Sequence, residues 1–205
     1  LVFFCFNFIS LVIIFKFLIV IWSMDNIYYF IDKFDRKEIF RLDKKISIIY
    51  RNYKDKNADN TIKELKKICK QDKRELFISN NLKVALKHNL NGLYLPSFNT
   101  CKKYRNLKKN FKIIGSAHNY REIKIKEEQG CTEIFIAPLF ANPKNKNYLD
   151  IIKFNNLSLS TNKQIIALGG INEENIRKLI CTEAIGFAGI TWIKKTGLIK
   201  LGRFK

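Results

Sequence analysis

Eight short apolar runs, each followed by a longer stretch of mixed polar and apolar residues, constrain the fold of this chain more than any other feature. The runs fall at residues 27–32, 47–51, 75–79, 92–95, 111–114, 133–137, 164–168 and 185–190. They have the length of β-strands and are nearly continuous in apolar character, as expected of a parallel sheet covered on both faces. Helical periodicity appears between them. In 60–70, Ile62, Leu65 and Ile68 share one face; 82–89 reads as helix; and 120–130 closes on Gly130. Strands alternating with helices are repeated βα units. Eight units predict an α/β domain that closes into a single (β/α)8 barrel of the TIM type. An open doubly wound sheet is the alternative, but no Gly-x-Gly-x-x-Gly follows the first strand, which weighs against a dinucleotide-binding version.

No linker or low-complexity tract divides residues 24–205, so one domain is expected there. Residues 1–22 are almost wholly apolar, interrupted by Asn7, Ser10 and Lys16. That length suits one membrane-spanning helix, for which about 20 residues are needed, and the segment lacks the basic n-region and small-residue cleavage site of a secretory signal. The favoured reading takes Met24, the sole methionine, as the translational start and leaves 1–23 as a hydrophobic N-terminal segment outside the barrel. A membrane anchor bearing a cytoplasmic barrel is the other reading.

The formal net charge is +20, from 38 Lys and Arg against 18 Asp and Glu. Those cations are scattered, mostly lysine, and form neither a stripe nor an RNA-binding aromatic signature, so nucleic acid is not an expected partner. A net positive field would still draw in phosphorylated small molecules. Cys5, Cys69, Cys101, Cys131 and Cys181 are odd in number and widely separated. Such spacing supplies neither a disulfide framework nor a zinc site, and points to a reducing cytoplasm.

In a barrel of this kind, chemistry belongs at the C-terminal strand ends, with phosphate sites recurring after strands 7 and 8. Strand 7 runs into Gly169 and Gly170, followed by Asn172 as an expected helix N-cap with Glu173 and Glu174 in the first turn. Backbone amides beside two glycines make a phosphate cradle. Strand 8 ends at Ile190 and Thr191, which could complete it. Other strand ends carry Asp32, Arg51, Asn80, Asn81, Ser97, Asn99, Ser116 and His118, and the loop after strand 6 carries Lys144 and Lys146. Arg51 and those lysines could neutralise a diphosphate, Arg51 by bidentate contact. His118 could serve as acid or base near neutral pH, whereas His88 sits within a helical segment and reads as structural.

Residues 77–86, 91–95, 114–118, 137–140, 167–171 and 184–190 together resemble, in order, the thiamine phosphate synthase superfamily, which also contains the thiazole tautomerases. The resemblance spans residues 27–193. It implies a (β/α)8 barrel that couples hydroxymethylpyrimidine diphosphate to thiazole phosphate, releasing pyrophosphate with Mg2+ bound. On this resemblance Arg51 corresponds to the diphosphate-contacting arginine, Asn80 to the asparagine of an Asn-Asp pair and Ser116 to the pyrophosphate-contacting serine. Gly170, Ile190 and Thr191 fall on the thiazole-phosphate site beside Gly169, and Lys144 is the chosen lysine of the strand-6 loop, with Lys146 as the alternative.

The chain departs from the family pattern at several positions. Asn81 and Asn99 stand where the family has its two magnesium-binding aspartates, and a neutral amide oxygen is a weaker ligand for a hard cation. Ile49 replaces a glutamine, and Tyr53 replaces a lysine or displaces it to Lys54. Two further readings follow from these departures. One is a metal-independent tautomerase-like isomerase using His118; the other is a non-catalytic binder of phosphorylated ligands.

Overall fold

The computed structural model describes residues 24, 26–104, 107, 110–142 and 146–197. The apolar segment 1–23 and Lys144 therefore lie outside the described residues. Eight parallel strands close in sequence order: β1 (Asn26–Ile31), β2 (Ile46–Tyr50), β3 (Leu76–Ser79), β4 (Gly92–Leu95), β5 (Lys112–Ala117), β6 (Glu133–Ile136), β7 (Gln164–Leu168) and β8 (Gly186–Gly189). Pairing of β1 with β8, Tyr29 opposite Gly189, closes the ring and excludes the open sheet.

Six α-helices are described around it: α1 (Arg36–Arg41), α2 (Ala58–Gln71), α3 (Leu82–Lys87), α4 (Tyr120–Glu128), α5 (Asp150–Ser158) and α6 (Thr191–Thr196). Among the described residues none is long and apolar enough to cross a membrane. In α2 the expected stripe of Ile62, Leu65 and Ile68 is buried together with Cys69. Asn119 caps α4 by accepting from the Glu122 amide, and Gly130 ends that turn at φ +80°.

Strand alternation divides the core in two. Tyr29 and Ile31 face the helices, whereas Tyr28 and Phe30 point inward with Ile49, Phe77, Tyr94, Ile114, Phe135, Ile166 and Ala188. Phe135 receives Tyr28, Tyr94 and Phe30 edge-on, at centroid distances of 4.9, 5.6 and 6.2 Å. At the N-terminal end of this filling the Tyr28 hydroxyl donates to Glu133 at 2.6 Å, and burial raises the Glu133 carboxyl above its ordinary range. The barrel interior is thus plugged, leaving the C-terminal mouth as the place for a ligand.

Two expected elements differ. β5 runs to Ala117 rather than stopping at 114, so Ser116 is a buried strand residue and not part of the loop beyond. The capped helix expected after the glycines is a turn leading into a 3-10 helix, Ile176–Cys181. Asn172 does cap, but its side chain accepts from the Glu174 and Asn175 amides, so those amides are already spent.

Candidate active site

The mouth has two halves. One is assembled by the ends of β2 to β5. The Arg51 amide, just past β2, donates to the Ile31 carbonyl, and its guanidinium lies 4.8 Å from the centre of the Phe30 ring. A guanidinium stacked on an aromatic face is held in place yet keeps its donors for a ligand. Below it is Tyr94 of β4, whose hydroxyl is pushed up to about 12 by burial, while the Ser116 side chain and the charge of Arg51 act in the opposite direction. Arg51 and Ser116, 65 positions apart in the chain by their numbers, flank one tyrosine: Tyr94 packs edge-on at 5.1 Å against the Phe30 ring that Arg51 covers, and pairs across the sheet with Ile114, two residues before Ser116. Ile49 belongs to the apolar filling instead, fully buried inside the barrel.

Asn80 adopts a positive φ of +58°, with its amide donating to the Tyr94 carbonyl at 2.9 Å. The Asn99 amide nitrogen donates to the Asn80 side-chain oxygen and, at 3.0 Å, to the Tyr104 hydroxyl. Tyr53 and Phe98 stand above this group as exposed rings 5.8 Å apart, edge to face, with the Tyr53 hydroxyl 3.0 Å from Ser79 Oγ.

Asn81 and Asn99 are already committed elsewhere. Asn81 Oδ1 accepts from the Val84 amide and caps α3. Asn99 Oδ1 accepts from the Cys101 amide at 2.8 Å and from Gln129 Nε2 at 3.1 Å. Among the described residues no group of three His, Cys, Asp or Glu side chains comes together. Two neutral oxygens with internal donors are a poor set for Mg2+, which takes one or two carboxylates at short, octahedral distances. The expected metal positions do not fit the ion.

The second half is formed by β7 and β8, whose pairing, Leu168 opposite Ala188, sets their loops side by side. Gly169 and Gly170 have φ of +93° and +73°. The immediate reason for glycine is the loop after β6: a Cβ on Gly169 would lie 2.8 Å from Pro138 Cβ, and one on Gly170 would lie 2.2 Å from the Phe140 carbonyl oxygen. That loop is zipped to the glycines by Leu139 N donating to Leu168 O (2.9 Å) and Phe140 N donating to Gly169 O (3.1 Å). Asn175 Nδ2 holds the Gly170 carbonyl at 2.8 Å. Among the described residues the Gly170 and Ile171 amides meet no acceptor. Ile190 and Thr191, at the start of α6, are exposed on the neighbouring loop.

His118 lies on the rim just past β5. Its Nδ1 and its backbone amide both meet the Glu122 carboxylate, at 2.9 and 2.7 Å. His88 bonds Asp59 at the end of α3, the structural role expected of it. Lys146 is exposed. Sequence reasoning missed Tyr94, and also Lys126 and Gln129 of α4 and its end, which lie against the β4 loop. The available signal was Lys126 three residues after Ile123, on the apolar face of its helix.

A closed parallel barrel with its polar groups gathered at the C-terminal mouth defines a TIM-barrel protein with a ligand-binding or catalytic face. Comparison with known proteins narrows the class. Residues 38–193 match the family model described as thiamine monophosphate synthase, and the chain belongs to that family. It is 32% identical over 169 residues to the thiamine-phosphate synthase of Prochlorococcus marinus subsp. pastoris, covering 77% of this chain and 48% of that protein. With the Clostridium acetobutylicum thiamine-phosphate synthase it shares 30% identity over 141 residues, 67% of each chain. It thus spans about half the length of the first of these relatives. The solved thiamine phosphate pyrophosphorylase from Pyrococcus furiosus shares the fold, with a TM-score of 0.70 at 18% identity, covering 85% of this chain and 93% of that one.

Proposed function

We propose that this chain is a transferase of thiamine biosynthesis that joins hydroxymethylpyrimidine diphosphate to thiazole phosphate. The observation that carries the reading is the two-part mouth: Arg51, Tyr94 and Ser116 lie at the ends of β2, β4 and β5 on one side, while the Gly170 and Ile171 amides, which meet no acceptor among the described residues, lie on the loop neighbouring the start of α6 on the other. Two anionic groups of different size match two such half-sites.

In this reading the bond between the pyrimidine methylene carbon and the diphosphate oxygen breaks first, its electron pair leaving with pyrophosphate. The thiazole nitrogen then donates its lone pair to the resulting pyrimidine-methyl cation, forming the new carbon–nitrogen bond. No protein nucleophile is needed; positioning and charge neutralisation carry the rate. Arg51, Asn80 and Ser116 hold the departing diphosphate, joined by Lys144 or Lys146 from the strand-6 loop. Gly170, Ile190 and Thr191 hold the thiazole phosphate through backbone amides and the threonine hydroxyl. No step is assigned to Mg2+, because Asn81 and Asn99 do not offer it a site. A cytoplasmic location accords with this chemistry and with the scattered cysteines.

A second reading, a thiazole tautomerase, is favoured by one observation: the His118 imidazole is backed by the Glu122 carboxylate, an arrangement that suits proton transfer. Incubation with both substrates, followed by quantification of thiamine phosphate and pyrophosphate, tests the first reading. Product that is lost in Arg51→Ala and Ser116→Ala supports it. Absence of product, with His118-dependent isomerisation of a thiazole phosphate carboxylate, replaces it with the second. Thermal stabilisation by the ligands without either reaction would leave a binder.

A further inference from the structure

Lys126 is fully buried on the inner face of α4, yet it makes no ion pair among the described residues. Its ammonium donates to Pro96 O (2.8 Å), Asn99 O (2.8 Å) and Gln129 Oε1 (2.9 Å), which accounts for all three protons. Gln129, also fully buried, turns its Nε2 to the same loop and meets Asn99 O (2.9 Å), Asn99 Oδ1 (3.1 Å) and Cys101 O (2.9 Å). Room for the lysine stem comes from Gly115 of β5, where a Cβ would lie 2.8 Å from Lys126 Cδ. Burying an ammonium among neutral oxygens is costly, and a long apolar side chain would fill the space without that cost.

We propose that Lys126 and Gln129 are positioning residues: a tethered internal cation and its amide partner set the loop after β4, so that Asn99 meets Asn80 and the diphosphate half of the mouth is preformed. Both act through Asn99, whose side-chain nitrogen reaches Asn80 once Gln129 has fixed its oxygen. The loop is therefore ordered by the protein's own charge, at Asn99, one of the two positions where the family resemblance implied an aspartate for a divalent ion. This inference rests on assigning that half of the mouth to the diphosphate.

The test uses Lys126→Met, with Gln129→Met as a second variant should the first fail to fold. Hydrogen exchange at residues 97–101 and titrations with inorganic pyrophosphate and thiazole phosphate are compared with the unmodified chain. Exchange at 97–101 should rise while that at 169–171 stays the same. Pyrophosphate affinity should fall about tenfold, with thiazole phosphate affinity unchanged. Protection of 97–101 in the unmodified chain should not depend on added magnesium or on chelation. Equal loss of both ligands, no loss of either, or protection that requires magnesium would overturn the proposal. Faster exchange in the variants of a chain that binds no pyrophosphate would uphold the clamp and remove the diphosphate assignment instead.

Discussion

Replacing Gly170 by alanine separates two reasons for a glycine, because Gly130 provides a control with a similar positive φ. Both residues have a left-handed φ, +73° and +80°. An L-residue in that region costs about 1 kcal/mol. Around Gly130 a new methyl group meets nothing within 4 Å, so Gly130→Ala should cost about 1 kcal/mol and no more. At Gly170 the same methyl would sit 2.2 Å from Phe140 O and 2.6 Å from Ala141 O. The strand-6 loop must retreat, which breaks the Leu139–Leu168 and Phe140–Gly169 backbone hydrogen bonds. At about 1 kcal/mol each, these bring the total for Gly170→Ala to about 3 kcal/mol. Urea unfolding followed by far-ultraviolet circular dichroism measures both values, and calorimetric titration with thiazole phosphate should show weaker binding for Gly170→Ala alone. Equal destabilisation by the two substitutions would refute the close approach of the two loops.

Arg51→Lys keeps the charge but loses the planar stack on Phe30 and the fork of donors, so pyrophosphate affinity should fall about tenfold by calorimetry, with Arg51→Ala falling further. Burial pushes the Lys126 ammonium down to about 8 from an ordinary 10.5, with Glu122 and Cys131 acting in the opposite direction. Between those values the unfolded chain holds a proton that the folded chain has released, so rising pH favours folding. The stability difference between the unmodified chain and Lys126→Met should rise by about 3 kcal/mol from pH 8 to 10.5 and stay flat below pH 7. Urea unfolding across that range checks it; a flat profile throughout would mean that Lys126 is hydrated. His118→Ala should reduce thiamine phosphate formation by less than about tenfold, whereas a general acid or base contributes about 100-fold or more. Steady-state rates of the two proteins decide this.

The barrel was legible because period and length report burial directly. The β4 and β7 runs match their predicted limits, since a turn residue bounds each closely, and the Ile62–Leu65–Ile68 stripe follows from helix geometry alone. The sequence predicts β5 too short because Gly115 and Ser116 look like a turn, whereas in the sheet Gly115 faces α4, where a Cβ would meet the Lys126 stem, and Ser116 alternates to the barrel side with Ile114. The sequence predicts a helix after Gly170 where the chain makes a turn, because Asn172 caps a turn as readily as a helix, and local capping does not say how far the helix runs. Arg51 and Ser116 were found as site candidates; Tyr94, which links them, looked like ordinary strand. Lys126 was passed over because a lysine in a lysine-rich helix is usually solvated. Its spacing from Ile123 puts it on the apolar face, and Gly115 opposite with the loop after β4 above gives it room and acceptors there.

Thiamine phosphate formation from hydroxymethylpyrimidine diphosphate and thiazole phosphate, with one pyrophosphate released per product, tests the central claim most directly. Turnover by the unmodified chain, lost in Arg51→Ala and Ser116→Ala while both variants remain folded, is the predicted result. A folded protein that binds both substrates and forms no thiamine phosphate would contradict it.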